Sequence, residues 1–261
     1  MSTVYADLRD ALRAHEPVAL ATVIAGIGIG SKLLVGPDRA NAGTLGDPDL
    51  DRVVARDAIG ELEAGITVTR HYGAHGEARE QDVEVFIESF APPARMIIFG
   101  AVDFTASLVR SAKLLGYYVT VCDAREVFAT PQRFPMADEV VCDWPDRYLT
   151  SVQKDLGPRD AVCVLTHDAK FDVPAIISAL ATEVGYLGAM GSRRTHARRV
   201  ERLRDAGATD AQLGRVMAPI GLDLGARTPE ETAIAICAEI IARRTGRDAL
   251  SLRDGDGPIH R

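Results

Sequence analysis

The run Arg95-Met-Ile-Ile-Phe99-Gly100-Ala101-Val102-Asp103-Phe104-Thr105 decides the fold. Five strand-forming residues end on a glycine. Phe104, Leu108, Ala112 and Leu115 then recur at helical spacing until Gly116. A second strand, Tyr118–Cys122, follows and is closed by Asp123. Further along, strand candidates at Glu139–Val141, Ala161–Leu165 and Gly185–Gly188 alternate with a helical stretch over 173–183 and a final helix over 229–243. In the last, Thr228 caps, Pro229 fills the first helical position and Glu231 closes a capping box. This alternation predicts an α/β fold over residues 95–247, a Rossmann-like parallel sheet domain at the C-terminal side.

Toward the N-terminus, Ala91-Pro92-Pro93-Ala94 forbids helix and marks a boundary. Residues 1–90 read as a smaller N-terminal α+β domain. It has a helix over 4–14, strands at Val18–Ile24 and Lys32–Val35, a helix over 49–64 and a strand at Val83–Ile87. Residues 248–261 read as a polar tail.

The 261 residues are 47% hydrophobic and 26% charged, which is globular composition. Thirty basic against 37 acidic residues give a net charge of −7, which argues against a general nucleic-acid binder. No apolar run reaches the length of a membrane span, and the first residues carry no signal-peptide pattern. Cys122, Cys142, Cys163 and Cys237 lack C-x-x-C or disulfide-framework spacing. They read as reduced thiols of a cytoplasmic protein with no metal signal, Cys142 being the exposed one.

Gly26-Ile-Gly28-Ile-Gly30-Ser31-Lys32 has the wrong order for a phosphate loop and precedes a strand, so it reads as a hairpin loop. Gly100, Ala101 and Asp103 stand where a dinucleotide fingerprint belongs, and Asp123 stands where an acid meets a ribose hydroxyl. The second and third fingerprint glycines are Val102 and Thr105 instead, and Asp103 puts an acid where phosphate would sit. No catalytic residue is assigned. His167 and Asp168, at the carboxyl end of the fourth strand, are the candidates, weighed evenly against a helix-capping role. Gly191, Ser192, Arg193 and Arg194 combine a backbone turn, a helix start and two cations, an expected anion cradle. Pro219-Ile-Gly221-Leu-Asp223 reads as a tight path beside a ligand or partner, or as the loop that orders the last helix.

Taken together, Phe99-Gly-Ala101, Val119-Thr-Val-Cys-Asp-Ala-Arg125, Phe134-Pro135, Leu165-Thr-His-Asp168, Tyr186-Leu-Gly-Ala-Met-Gly-Ser-Arg-Arg194, Pro219-Ile-Gly-Leu-Asp223 and Thr228-Pro-Glu-Glu231 resemble the XdhC/CoxI family. The motifs span about residues 84–245 in order, and residues 1–90 resemble the family's smaller domain more loosely. The resemblance implies a cytoplasmic maturation factor for molybdenum hydroxylases such as xanthine or carbon monoxide dehydrogenase. Such a factor binds molybdenum cofactor, as molybdopterin or its cytosine dinucleotide, supports its sulfuration by a cysteine desulfurase, and passes it to the hydroxylase apoenzyme. It also implies a homodimer, and it adds Arg125 and Thr166 to the cofactor-binding candidates beside His167. Two positions depart from the family. Its Ser-Gly-Gly-Cys-Leu/Val-Glu corresponds to Asn41-Ala-Gly43-Thr44-Leu-Gly46-Asp47-Pro-Asp49, with no cysteine, so no thiol role carries over. Its Gly-Ala-Gly-His is here Gly100-Ala-Val-Asp103. The rival expectation is an NAD(P)-binding oxidoreductase with a modified Rossmann loop. A third is a scaffold that recruits the hydroxylase through its acidic surface.

Overall fold

A computed structural model describes residues 3–37, 39–78 and 80–254. The chain folds as two compact units, Met1–Pro92 and Pro93–Arg261.

The first unit is an antiparallel sheet in the order β3-β2-β1-β5-β4, built from β1 (Val18–Gly26), β2 (Lys32–Val35), β3 (Ala42–Thr44), β4 (Val68–Tyr72) and β5 (Val83–Phe90). β1 and β2 pair antiparallel across the Gly26–Ser31 loop, so that loop is a hairpin connection. β1 lacks polar alternation because both its faces are covered. Ala19, Ala21 and Val23 pack under α2 (Pro48–Ala64), against Leu50, Val54, Ala58 and Leu62. Val18 and Leu20 share the opposite face with Ala11 of α1 (Val4–Arg13).

The second unit is a six-stranded parallel sheet of β6 (Arg95–Phe99), β7 (Tyr118–Cys122), β8 (Glu139–Val141), β9 (Ala161–Val164), β10 (Tyr186–Ala189) and β11 (Val216–Met217). Its order, β11-β10-β9-β6-β7-β8, is that of the doubly wound dinucleotide fold, with the reversal between β6 and β9. Helices α3 (Asp103–Leu114) and α8 (Pro229–Thr245) cover one face with a core of Leu108, Ile236 and Ile240. Helices α4 (Pro145–Val152) and α5 (Ala169–Leu180) cover the other with Leu149, Ile176 and Leu180. Leu203 of α6 (Arg193–Asp205) completes that layer, and a short α7 (Asp210–Leu213) follows.

Helix α5 begins at Ala169, four residues before the expected start at 173, because Asp168 accepts from the Lys170 amide and caps it. Pro174 is therefore carried inside the helix. Strand β10 is shifted one residue beyond the sequence expectation. Pro219–Gly221 lies over the sheet edge: the Gly221 amide donates to Glu239 Oε2 at 2.9 Å and Tyr186 donates to the same oxygen. The loop thus orders α8. At its start, Thr228 accepts from the Glu231 amide while Glu231 accepts from the amides of Arg227 and Thr228. Replacing Thr228 with alanine is expected to cost about 1 kcal/mol in denaturant unfolding. Of the expected polar tail, 248–254 includes a 3-10 turn at Leu252–Asp254, and residues 255–261 lie outside the described residues.

Candidate functional site

The carboxyl ends of β6 and β9 flank the point where strand order reverses, and a hollow of about 320 Å³ opens there. It is lined by Val102, Arg125, Thr166, His167, Asp168 and Phe171. The turn after β6 supplies Val102, the loop after β7 supplies Arg125, and the loop after β9 with the first turn of α5 supplies the rest.

The Gly100–Val102 turn is closed on itself. The Gly100 amide donates to the Cys122 carbonyl at 2.9 Å, the Ala101 amide to Asp123 Oδ2 at 2.8 Å, and the Val102 amide to Thr105 Oγ1 at 3.2 Å. Thr105 then donates to the Gly100 carbonyl at 2.5 Å. Three amides of the turn that a dinucleotide fold brings close to pyrophosphate, those of Gly100, Ala101 and Val102, are therefore engaged within the chain. Gly100 is required at φ +108°, where a Cβ would stand 2.7 Å from the Thr166 methyl. Asp103 is exposed at the start of α3 and does not line the hollow.

Asp123 is buried. Besides Ala101, it accepts from the Arg125 amide and Nε at 2.9 Å each and from Arg125 Nη2 at 2.7 Å. Burial works to raise its pKa, and the Arg125 side chain with the two amides outweighs burial, so the carboxyl lies below its ordinary range. Both its oxygens serve Arg125 and the turn. Asp123 holds the arginine fork in place, with the guanidinium 4.5 Å from the centre of the Phe128 ring. Beyond the hollow, Trp144 and Phe171 lie with ring centres 5.1 Å apart.

His167 is exposed at the mouth of the hollow, and Asp168 serves as helix cap as well as lining. Thr166 is buried and donates to Asp172 Oδ1. Asp172 Oδ2 in turn accepts from Arg199 Nη2 at 2.8 Å, and the same nitrogen donates to the Met190 carbonyl at 2.7 Å. Asp172 and Arg199 are each 3% exposed, so the ends of β9 and β10 are joined by a buried ion pair. Burial raises the Asp172 pKa despite Arg199. Arg199 Nη1 is buried with no hydrogen-bond partner among the described residues. This pair escaped the sequence reading because Arg199 sits in an arginine run. The signal lay in spacing: Thr195, Arg199 and Leu203 fall four residues apart, so the apolar Leu203 marks the inward face.

Gly191 takes φ +140° and Ser192 caps α6 by accepting from the Thr195 amide. Arg193 and Arg194 are exposed in the first turn of α6 and are not among the lining residues of the hollow. The expected site residues thus separate. Arg125, Thr166, His167 and Asp168 meet at the hollow; Gly100, Ala101 and Asp123 brace its wall; Gly191–Arg194 form a distinct helix start beyond the end of β10.

Residues 96–240 match the XdhC Rossmann domain, and residues 11–73 match the XdhC and CoxI family. Among curated proteins, the chain is 33% identical over 165 residues to a probable component of the xanthine dehydrogenase of Bacillus subtilis, covering 63% of this chain and 47% of that protein. It is 30% identical over 99 residues to the molybdenum cofactor insertion chaperone PaoD of Escherichia coli, covering 38% of this chain and 31% of that one. The chain spans less than half the length of these relatives. A crystal structure of a xanthine dehydrogenase from Bacillus halodurans shares the fold at a TM-score of 0.56 and 22% identity, covering 96% of this chain and 98% of the other. No described helix is long and apolar enough to cross a membrane. With the Rossmann domain matched over more than half its length and the smaller domain matched before it, the chain belongs to the XdhC and CoxI family.

Proposed function

We propose that this protein is a molybdenum-cofactor-binding chaperone that takes part in maturing a molybdenum hydroxylase. The observation that carries the reading is the hollow at the strand-order reversal, lined by Arg125, Thr166, His167, Asp168 and Phe171 while the Ala101 and Val102 amides beside it are engaged within the chain. Its volume suits a ring-bearing small molecule, and Arg125 with the exposed His167 provides donors for an anionic one. Phe171 offers a ring to stack on. Those residues fit a pterin that carries phosphate. The names of the relatives, a xanthine dehydrogenase component and a cofactor insertion chaperone, support the same reading.

When bound, the cofactor supplies the metal centre that the client enzyme requires. The residues of this chain bind and shield it. Arg125, fixed by Asp123, and His167 hold the anionic pterin, and Thr166 shapes the floor. Gly100, Ala101 and Asp103 form and flank the turn beside it. Gly191, Ser192, Arg193 and Arg194 receive a phosphate, or the nucleotide part of a cytosine dinucleotide form, at the α6 N-terminus. The apoenzyme, a cysteine desulfurase that sulfurates the cofactor, a homodimeric state and a cytoplasmic setting belong to this proposal. His167 and Asp168 are given no turnover role in it.

Mass spectrometry of small molecules released from natively purified protein tests the reading. Molybdopterin or its nucleotide form is the expected release. Arg125→Ala and the pair Arg193→Ala/Arg194→Ala are each expected to lower that yield about tenfold, the loss of roughly one charge-assisted contact. A natively purified protein that releases no pterin, from cells that make the cofactor, overturns it. The Rossmann strand order supports NAD(P) binding as a second reading, and the engaged turn amides oppose it. NADPH titration followed by Trp144 fluorescence separates the two, since Trp144 lies beside Phe171 of the hollow.

A further inference from the structure

Helix α6 breaks three local rules at once. Among the described helices of four residues or more it is the one with no acid in its first turn, where it carries Arg193 and Arg194 against the positive end of the helix dipole. Arg194, Arg198 and Arg202 then recur four residues apart, so like charges are stacked along one face. All three are exposed, and among the described residues their side chains make no ion pair or hydrogen bond. Each feature works against the isolated helix. A sequence that keeps all of them is expected to recover the cost in an interaction.

From this stripe we infer a docking surface for an acidic face of another protein. Arg194 to Arg202 spans eight residues, about 12 Å of helix, which is longer than one phosphate can bridge. The occupant is therefore extended. The charge distribution argues against nucleic acid. The full chain is net −7, with 37 acidic against 30 basic side chains, which is not the balance of a nucleic-acid binder. A local acidic patch on a folded protein matches the length and sign of the stripe. A second copy of this chain is also a poor occupant. The arginine face cannot pair with itself, and many acids of the first unit are already engaged: Asp49 with Arg52, Asp57 with Arg56, Glu61 with Arg70, Asp47 with His75. The stripe starts at the turn after β10, on the same strand-end edge as the hollow. If the proposed function holds, the docked protein is one that exchanges the bound group.

The test uses the full chain and a short fluorescein-labelled polyglutamate peptide, read by anisotropy at low salt. Arg198→Ala/Arg202→Ala is compared with Arg243→Ala/Arg244→Ala, two exposed arginines at the end of α8. The stripe variant is expected to weaken peptide binding about tenfold while the α8 variant stays within about twofold of the parent, and added salt is expected to weaken parental binding. The stripe variant is also expected to melt no lower than the parent, because alanine favours helix and repulsion is relieved. Equal binding by all three proteins overturns the proposal. So does tighter binding of single-stranded DNA of matched charge through the same arginines, or a salt-sensitive self-association that the stripe variant abolishes. Both arginines lie outside the proposed cofactor contacts. Pterin release from the stripe variant therefore stays at the parental level, and failure of docking is distinguishable from failure of cofactor binding.

Discussion

Arg199→Met is expected to destabilise the protein by about 3–5 kcal/mol at neutral pH, the range for removing one partner of a buried ion pair. The substitution leaves the Asp172 carboxylate buried beside Thr166, without its cation and with the Met190 carbonyl unmatched. The pH dependence identifies the cause. Asp172 already has a folded-state pKa above its ordinary value, because burial outweighs the arginine. Removing the arginine drives it higher. A carboxyl whose folded pKa is raised costs stability at neutral pH, and that cost disappears as pH falls through the folded pKa toward the unfolded value. The deficit of the variant should therefore narrow in mild acid. Denaturant unfolding across that window checks it, and Asp172→Asn added to Arg199→Met should restore part of the loss at neutral pH. A deficit that is flat with pH would place the defect in packing instead.

Asp123→Ala is expected to cost about 3 kcal/mol, since a charged acceptor is removed from four donors and the Ala101 amide is left buried without a partner. Its pH signature has the opposite sign. The folded pKa of Asp123 is depressed, so its contribution is complete above the unfolded value and is lost as pH falls through the folded one. The variant should unfold with a shallower acid limb than the parent. Under the proposed function, because Arg125 loses its anchor, the variant should also yield less bound cofactor than its stability alone accounts for. Asp123→Asn, which keeps the shape and some acceptor capacity, should fall between the two. Full cofactor retention by Asp123→Ala would show that Arg125 needs no such brace.

The parallel sheet was legible because each strand from β6 to β10 is a short apolar run followed by a glycine or a polar turn. Edge elements were less legible. β4, Val68-Thr-Arg-His-Tyr72, places Thr69, Arg70 and His71 in solvent and shows little apolar signal, and β11 is two residues long. α4 was hidden because only Pro145 and Leu149 of its eight residues are buried. In the site, position along the strands foretold that Thr166, His167 and Asp168 would gather at the reversal. The partnership of Asp123 was not foretold. An acid at the end of the second strand carries the same residue type whether it faces a ribose or an arginine two residues on, and only the fork of Arg125 distinguishes the cases.

The closed Gly100–Val102 turn has a consequence for how specificity changes over time. Where main-chain amides grip a ligand, the preference is written into the fold and resists substitution, since every residue type except proline presents the same N–H. Here the Ala101 and Val102 amides are turned inward, and under the proposed function recognition passes to the side chains that line the hollow. Under the proposed function, a change of cargo falls to His167, Asp168 and Phe171, because Arg125 and Thr166 are also tied into the fold through Asp123 and Asp172.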